Sequence, residues 1–162
     1  MGVRKIGLLG VPLGFGAGKT GSELGVNAMR LSMVRGQRLA DHIRGLGFEF
    51  IDHGDVSIVT PNDTDEGKNP KHLMEMLASS ENIIDAVSEI LAREEFPVIL
   101  GGDHAIAIPT FSAISAHYRA KELEVGLIWF DAHSDINTPE SSPSGNIHGM
   151  PLAVLLGDGN KE

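Results

Sequence analysis

Short apolar runs alternate along this chain with longer segments in which apolar residues recur every three or four positions. The short runs predict buried strands, and the longer spacing predicts helices with one buried face. The predicted strands cover residues 6–11, 48–51, 97–100 and 125–130. The predicted helices cover residues 26–46, 70–91, 103–118 and 151–156. This alternation predicts one α/β domain over residues 1–162, a three-layer parallel sheet with helices on both faces.

Local signals at the ends of these segments refine the prediction. Gly47 follows the last apolar position of the first helix and is expected to end it. Pro70 is expected at the first helical position of the second helix, where its missing N–H costs little. Asp103 is expected to cap the third helix. The predicted loops cover residues 14–21, 53–68 and 131–146.

Charge and composition narrow the classes of function. The chain has 13 lysines and arginines against 22 aspartates and glutamates, a net charge of -9, which disfavours a nucleic-acid partner. The absence of cysteine excludes disulfides, zinc–thiolate sites and cysteine nucleophiles. No apolar run reaches the roughly 18 residues of a membrane span, and the N-terminus lacks the apolar core of a signal peptide. We therefore expect a cytoplasmic protein with no membrane partner.

A glycine-rich loop offers one candidate for nucleotide binding. Residues 16–21 match the Gly-x-Gly-x-x-Gly pattern between a predicted strand and a predicted helix. Four residues separate that strand from Gly16, whereas a dinucleotide fingerprint turns at once. Leu13 also stands where a P-loop needs a glycine. A loop that only turns the chain is therefore favoured over a nucleotide site.

Acidic and imidazole side chains follow two of the predicted strands. His104 ends a Gly-Gly-Asp-His stretch after one strand, and Asp131, His133 and Asp135 come directly after another. Ligands of parallel α/β sheets bind outside the carboxyl ends of the strands, and residues two apart in an extended chain point to one side. Carboxylates and imidazoles that face one another need a cation between them, so this arrangement predicts a metal site.

The donor types restrict the metal. Oxygen and nitrogen donors without sulfur favour Mn²⁺, Fe²⁺, Co²⁺, Ni²⁺ or Zn²⁺. Asp131 has two carboxylate oxygens and could therefore bridge two ions. A pair of ions about 3.5–4 Å apart would hold a hydroxide between them and bring the pKa of that water toward neutrality.

The loop that follows these residues is rich in neutral hydrogen-bonding groups. Asn137, Ser142, Ser144 and Asn146 can hold a carboxylate, directly or through water. His148 is a candidate proton carrier, because the ordinary pKa of histidine is about 6.5. The attachment of this loop to the candidate metal ligands favours a substrate site over an ordinary solvated loop.

Together these stretches resemble the arginases, within the ureohydrolase family. The matching stretches are Gly-Gly-Asp-His at 101–104, Asp-Ala-His-Ser-Asp-Ile-Asn at 131–137 and Ser-Gly-Asn-Ile-His-Gly-Met-Pro at 144–151. The first two are shared with agmatinases and formiminoglutamases, whereas the third is arginase-like and points to L-arginine. The resemblance spans nearly the whole chain and implies an arginase-like three-layer fold.

The resemblance implies a centre of two Mn²⁺ ions. His104, Asp131 and Asp135 would hold one ion, and Asp131 and His133 would contribute to the other. A hydroxide bridging the ions would attack the guanidinium carbon of L-arginine and give L-ornithine and urea. The resemblance thus implies a manganese-dependent hydrolase of arginine metabolism and the urea cycle.

The resemblance also implies roles in substrate binding. Asn137 and Ser144 would bind the α-carboxylate directly, with Ser142 and Asn146 close by, and His148 would shuttle protons. Arginases are commonly oligomeric, so the resemblance also implies a homo-oligomer.

The length of the chain leaves alternatives open. Arginases continue well beyond this length to an Asp-x-Asp strand end that completes both metal sites, and their later strands lie between the strands ending at His104 and Asp131. We therefore expect an incomplete domain, truncated at its C-terminus, whose urea release alone is near background. The alternatives are a catalytically incomplete chain that binds metal or other subunits, and an agmatinase or formiminoglutamase.

Overall fold

The computed structural model describes residues 5–62 and 69–160, and it contains a parallel sheet flanked by helices. Its strands are β1 (Lys5–Val11), β2 (Met33–Val34), β3 (Gln37–Arg38), β4 (Glu49–Asp55) and β5 (Phe96–Gly101). Its α-helices are α1 (Gly25–Leu31), α2 (Leu39–Gly45), α3 (Leu73–Ala92), α4 (Ala107–Arg119) and α5 (Pro151–Leu155). Short 3-10 turns cover Phe15–Ala17, Ser22–Leu24, His104–Ile106 and Ile147–Gly149.

The main sheet has the strand order β4-β1-β5, and both pairings are parallel. Ile6 lies opposite Phe50 on one side and Phe96 on the other. The three strands correspond to the predicted runs 6–11, 48–51 and 97–100, although β4 continues to Asp55, into the predicted loop. Residues 63–68 of that predicted loop lie outside the described residues.

The sheet is covered on both faces, as the continuous apolar strands predict. Leu9 packs with Ile83 and Val87 of α3, whereas its neighbour Leu8 packs with Val26 of α1. Because successive strand residues point to opposite faces, these contacts place helices on each side of the sheet. The three-layer architecture is therefore confirmed.

The predicted helix over residues 26–46 is wrong as a single element. It is divided into α1 and α2 by the antiparallel β2–β3 hairpin. Arg35 and Gly36 both have positive φ, 53° and 78°, which is the backbone of a two-residue hairpin turn. Val34, one of the positions that suggested a buried helical face, is 61% exposed. Val26 and Ile43, on either side of the hairpin, are buried, so the apolar spacing serves two short helices and only its middle part is exposed.

The start of the second predicted helix is also wrong. Pro70 is not at the first helical position, because α3 begins at Leu73. His72 has left-handed backbone geometry, with φ of 53°, so helical geometry starts only after it. The buried face of α3 agrees with the spacing and includes Met76 and Ile83. Asp103 caps the next helical segment as expected, accepting a hydrogen bond from the Ala105 N–H at 2.9 Å.

The fourth predicted strand is not formed. Residues 125–130 have no strand geometry, and Ile128 and Phe130 are 92% and 102% exposed. Within residues 5–62 and 69–160, β5 pairs with β1 only, so no strand lies beside residues 125–130 to exchange backbone hydrogen bonds. An apolar sequence becomes a strand only where such a neighbour exists. The described part of the chain also has no helix long and apolar enough to cross a membrane.

Candidate functional site

The carboxyl ends of β1 and β5 position the first part of the site. The Gly102 N–H donates to the Val11 carbonyl at 3.1 Å, and the Asp103 N–H donates to the Leu13 carbonyl at 2.8 Å. A Cβ atom at Gly102 would lie 1.9 Å from the Leu13 oxygen, so only glycine permits this approach. The two strand ends are thus joined, and His104 follows directly from this junction.

Three of the four predicted metal ligands come together. His104 Nδ1 lies 3.2 Å from Asp131 Oδ2 and 3.0 Å from Asp135 Oδ2. One ligand atom from each of these residues lies within 4.8 Å of the others. Two ligands at right angles, each about 2.1 Å from a cation, are about 3 Å apart. The spacing and the donor set therefore fit a divalent cation.

His133 stands on the other side of Asp131. Its Nδ1 lies 3.3 Å from Asp131 Oδ1, and its side chain is 83% exposed. The extended run expected from Asp131 to Asp135 is not present, because the His133 N–H turns back to Asp131 Oδ1 at 2.7 Å and Asp135 has a φ of 48°. Strict two-residue alternation therefore does not hold, and Asp131 lies between the imidazoles of His104 and His133.

The surroundings of Asp131 favour its charged form, and Asp135 is held by an aromatic neighbour. The His133 backbone N–H bonded to Asp131 holds the pKa of that carboxyl below its usual range, against a smaller opposing effect of burial, and the nearby His104 adds to the lowering. Asp135 is buried, and its Oδ2 accepts a hydrogen bond from the Trp129 indole at 3.2 Å. The Trp129 ring also stacks on His104, with ring centroids 4.9 Å apart.

All nine predicted site residues line one cavity of about 670 Å³. The nine are His104, Asp131, His133, Asp135, Asn137, Ser142, Ser144, Asn146 and His148. The cavity is thus lined both by candidate metal ligands and by neutral polar groups. The segment carrying those polar groups is tied back to the cluster, since the Asn137 N–H donates to the Gly149 carbonyl at 3.1 Å and the Leu152 N–H to the Asp135 carbonyl at 2.9 Å.

Hydrogen bonds within this loop leave donors available to the cavity. Ser144 Oγ accepts from the Asn146 N–H at 3.2 Å, so its own O–H remains free to donate. Ser142 Oγ likewise accepts from the Gly145 N–H at 3.0 Å. Asn137 Oδ1 accepts from Ser141 at 3.4 Å, which leaves the Asn137 amide N–H groups as donors. Three donor groups in the lining of one cavity suit an anionic substrate group such as a carboxylate.

The glycine-rich loop is bonded to residues of this site, namely Asp103, Asn146 and His148. The Ala17 N–H donates to Asp103 Oδ2 at 3.1 Å, and the Gly21 N–H donates to Glu23 Oε2 at 2.8 Å. These two backbone donors are therefore occupied by carboxylates of the protein, whereas a nucleotide site would offer them to a phosphate. Burial raises the pKa of Asp103, although hydrogen bonds from Ala105 and Ala17 oppose that rise.

Two contributors to the site were missed by the sequence-based reasoning. Trp129 was assigned to a strand, and no sequence signal distinguishes an indole beside a metal cluster from one in a core. Asp103 was assigned only as a helix cap, whereas its carboxylate also holds Ala17, 86 residues away along the chain. A contact over that distance along the chain leaves no periodic pattern in the sequence.

Comparisons with known proteins agree on one family. The Arginase family model matches residues 4–161. The arginase of Brevibacillus brevis is 37% identical over 158 residues, covering 98% of this chain and 50% of that protein. The crystal structure of Bacillus caldovelox arginase superimposes with a TM-score of 0.84 at 38% identity, over 98% of this chain and 50% of that one.

A more distant structure, Entamoeba histolytica arginase in complex with L-ornithine, has a TM-score of 0.77 at 28% identity and covers 99% of this chain and 52% of that one. The chain thus spans about half the length of the relatives it matches. The family model covers nearly all of its residues. The chain therefore belongs to the arginase family.

Proposed function

We propose that this chain carries part of a manganese-dependent site that hydrolyses L-arginine to L-ornithine and urea. The observation that carries the proposal is the convergence of His104, Asp131 and Asp135 in a cavity that is also lined by hydrogen-bond donors. The arginases to which the chain is similar add support for a hydrolase of this class.

The residues suited to holding the cations are His104, Asp131, Asp135 and His133. The first three would hold one ion, and Asp131 would share its second oxygen with an ion that also contacts His133. When bound, such cations supply Lewis-acid activation of water for attack on the guanidinium carbon. Oxygen and imidazole donors without sulfur suit Mn²⁺.

The neutral donors of the loop would orient the substrate. Asn137 and Ser144 offer N–H and O–H groups that suit the α-carboxylate of L-arginine, and Ser142 and Asn146 stand beside them. Holding the carboxylate with these groups would leave the guanidinium group to reach the metal cluster of the same cavity. Fixed placement of this kind removes much of the entropic cost of bringing the reactants together.

His148 is suited to moving protons at the same cavity. Its Nδ1 donates to the Gly16 carbonyl at 3.1 Å, so Nε2 is the ring nitrogen left for exchange with water or product. The leaving amine of ornithine needs a proton, and an imidazole that lines the cavity can deliver it.

Metal binding can be tested through Trp129, the single tryptophan of the chain, which stacks on His104. Mn²⁺ is expected to quench its fluorescence. Asp131→Ala should raise the Mn²⁺ concentration needed for half-quenching by at least about 10-fold, because it removes a ligand shared by both ions. Asn137→Ala, which lines the same cavity without a carboxylate or imidazole, should leave that concentration unchanged. Equal midpoints for the parent and both variants would contradict the ligand assignment.

Substrate choice can be tested by binding. Isothermal titration of the Mn²⁺-loaded protein with L-arginine, L-ornithine and agmatine separates the alternatives, because agmatine lacks the α-carboxylate. L-Arginine and L-ornithine are expected to bind at least about 10-fold more tightly than agmatine. Agmatine would leave the donors that suit the α-carboxylate without a partner, which costs binding free energy. Tighter binding of agmatine would favour an agmatinase. Mn²⁺ binding without any amino-acid binding would favour a chain that only binds metal.

A further inference from the structure

The Phe15–Ala17 turn contains the first glycine of the 16–21 pattern, which the proposed reaction does not use, yet it makes three polar contacts with residues around the cavity. The Gly16 carbonyl accepts from His148 Nδ1 at 3.1 Å, and the Ala17 carbonyl accepts from Asn146 Nδ2 at 3.1 Å. The Ala17 N–H donates to Asp103 Oδ2 at 3.1 Å. The turn is therefore bonded to residues that follow it by 86 to 132 positions along the chain.

The contact with His148 determines where its proton lies. A carbonyl oxygen only accepts hydrogen bonds, so the imidazole nitrogen that contacts Gly16 must carry the hydrogen. In the neutral ring this leaves the lone pair on Nε2. His148 lines the cavity, and the nitrogen with the lone pair is the one not engaged by the turn.

Asp103 holds the turn in place. Its side chain is buried, with Oδ1 accepting from the Ala105 N–H at 2.9 Å and Oδ2 accepting from Ala17. A Cβ atom at Gly16 would lie 2.8 Å from Asp103 Oδ1 and 2.9 Å from the Ala105 Cβ. The absence of a side chain at position 16 therefore lets the turn approach Asp103 and Ala105 closely.

We propose that the Phe15–Ala17 turn is the positioning element for His148, holding it in the Nδ1–H tautomer, and that Asp103 is the positioning residue that fixes the turn. Nε2 is then the atom that accepts and returns a proton at the cavity. The use of this proton rests on the proposed function, whereas the tautomer and the role of Asp103 do not.

The first test measures the tautomer directly in the 162-residue protein without added metal. Nitrogen-15 correlation spectra of the imidazole rings, recorded above about pH 8 where an ordinary imidazole is neutral, distinguish a protonated Nδ1 from a protonated Nε2. The signals of His148 are those that disappear in His148→Asn. A predominant Nδ1–H form is expected, and a predominant Nε2–H form or an even mixture would overturn the proposal.

The second test changes the turn. Gly16→Ala adds a methyl group against Asp103, and Asp103→Asn replaces one of two accepting oxygens with a donor group. Both are expected to shift His148 at least about twofold toward the Nε2–H form that free histidine favours. The matched control is Gly45→Ala, because nothing lies within 4 Å of a Cβ at that position. A folded Gly16→Ala protein with the parental His148 spectrum would overturn the proposal.

A third variant tests the proposal in case the Gly16→Ala and Asp103→Asn proteins do not fold. Asn146→Ala removes the bond to the Ala17 carbonyl without adding volume, and it is expected to raise the Nε2–H fraction of His148 as well. An unchanged fraction would count against the turn as the positioning element. The Mn²⁺ titration of these proteins distinguishes this inference from the proposed function. An unchanged metal midpoint with an Nε2–H ring at His148 would refute only this inference. Failed metal binding with an Nδ1–H ring at His148 would refute only the proposed function.

Discussion

Trp129 contacts two of the three side chains in the candidate metal cluster. Its indole N–H donates to Asp135 Oδ2, the same oxygen that lies 3.0 Å from His104 Nδ1. Its ring stacks on the His104 imidazole with an interplanar angle of 22°. One side chain therefore restrains both an aspartate and a histidine, and groups that orient metal ligands in this way tune the affinity of the site.

Trp129→Phe should weaken Mn²⁺ binding. Phenylalanine keeps an aromatic ring beside His104 but removes the donor to Asp135, and loss of such an orienting hydrogen bond costs about 10-fold in metal affinity. Isothermal titration with Mn²⁺ measures the change. Tyr118→Phe is the control, since Tyr118 contacts His117 and Lys121 and none of the cluster residues. An unchanged affinity in Trp129→Phe would show that the indole does not orient Asp135.

Helix α1 is joined to strand β4 by one arginine. Arg30 Nη2 and Nε bond both oxygens of Asp52 at 2.9 and 3.0 Å, and Arg30 also bonds Asp55 and the Gly54 carbonyl. Burial alone would lower the pKa of Arg30, but its hydrogen bonds with Asp55 and Asp52 outweigh that effect and raise the pKa. The guanidinium thus stays charged and uses its planar geometry to hold a helix on the edge strand of the sheet.

Arg30→Lys should destabilise the fold, because an ammonium group cannot reproduce this set of directed bonds. We expect a loss of about 1–2 kcal/mol in the free energy of unfolding, kept modest by solvent screening of the carboxylates. Urea unfolding followed by circular dichroism measures it. Arg44→Lys is the control, because Arg44 is 57% exposed and its ion pair with Asp41 is long, at 4.0 Å. Equal stability of the two variants would contradict a structural role for Arg30.

The junction between β1 and β5 leaves no room for a side chain at position 102. Gly102→Ala places a Cβ atom 1.9 Å from the Leu13 carbonyl oxygen, a backbone atom that cannot rotate away. We expect a loss of at least about 3 kcal/mol in the free energy of unfolding, at the upper end of overpacking effects. Gly45→Ala, at the end of α2, should be neutral or slightly stabilising in the same denaturation experiment. Similar curves for both variants would disprove the close approach.

The segment over residues 125–130 presents an apolar surface. Ile128 and Phe130 expose almost their whole side chains, and within residues 5–62 and 69–160 no strand covers them. Exposed apolar groups beside an unpaired strand edge promote association between chains. This surface lies outside the cavity that contains the candidate site.

The double variant Ile128→Thr and Phe130→Ser should therefore reduce association of the 162-residue chain. Sedimentation velocity over a range of concentrations is expected to show self-association of the parent and a mostly monomeric variant. Met74→Gln is the control, because Met74 is an exposed apolar residue of α3, at 72% exposure, away from this surface. Association that is equally strong in the double variant would place the contact elsewhere.

Much of the fold was predictable because its signals are local. The strands β1 and β5 are continuous apolar runs, and α3 buries the side chains that its three-to-four spacing selects. The site residues were recognisable by residue type and by their place after apolar runs, since Asp131 and His104 supply metal-ligand atoms whatever surrounds them. His104 follows β5 at the carboxyl edge of the parallel sheet, where ligands bind, although the apolar run before Asp131 forms no strand.

Long-range contacts decided the rest. Residues 125–130 are apolar enough for a strand, but a strand needs a partner, and partners are set by tertiary packing. The Arg35–Gly36 turn divides a regular apolar pattern into two short helices, and Val34 in the middle of that pattern has no surface to cover it. The bonds from Asp103 to Ala17 and from His148 to Gly16 join segments that only folding brings together, so no local pattern encodes them.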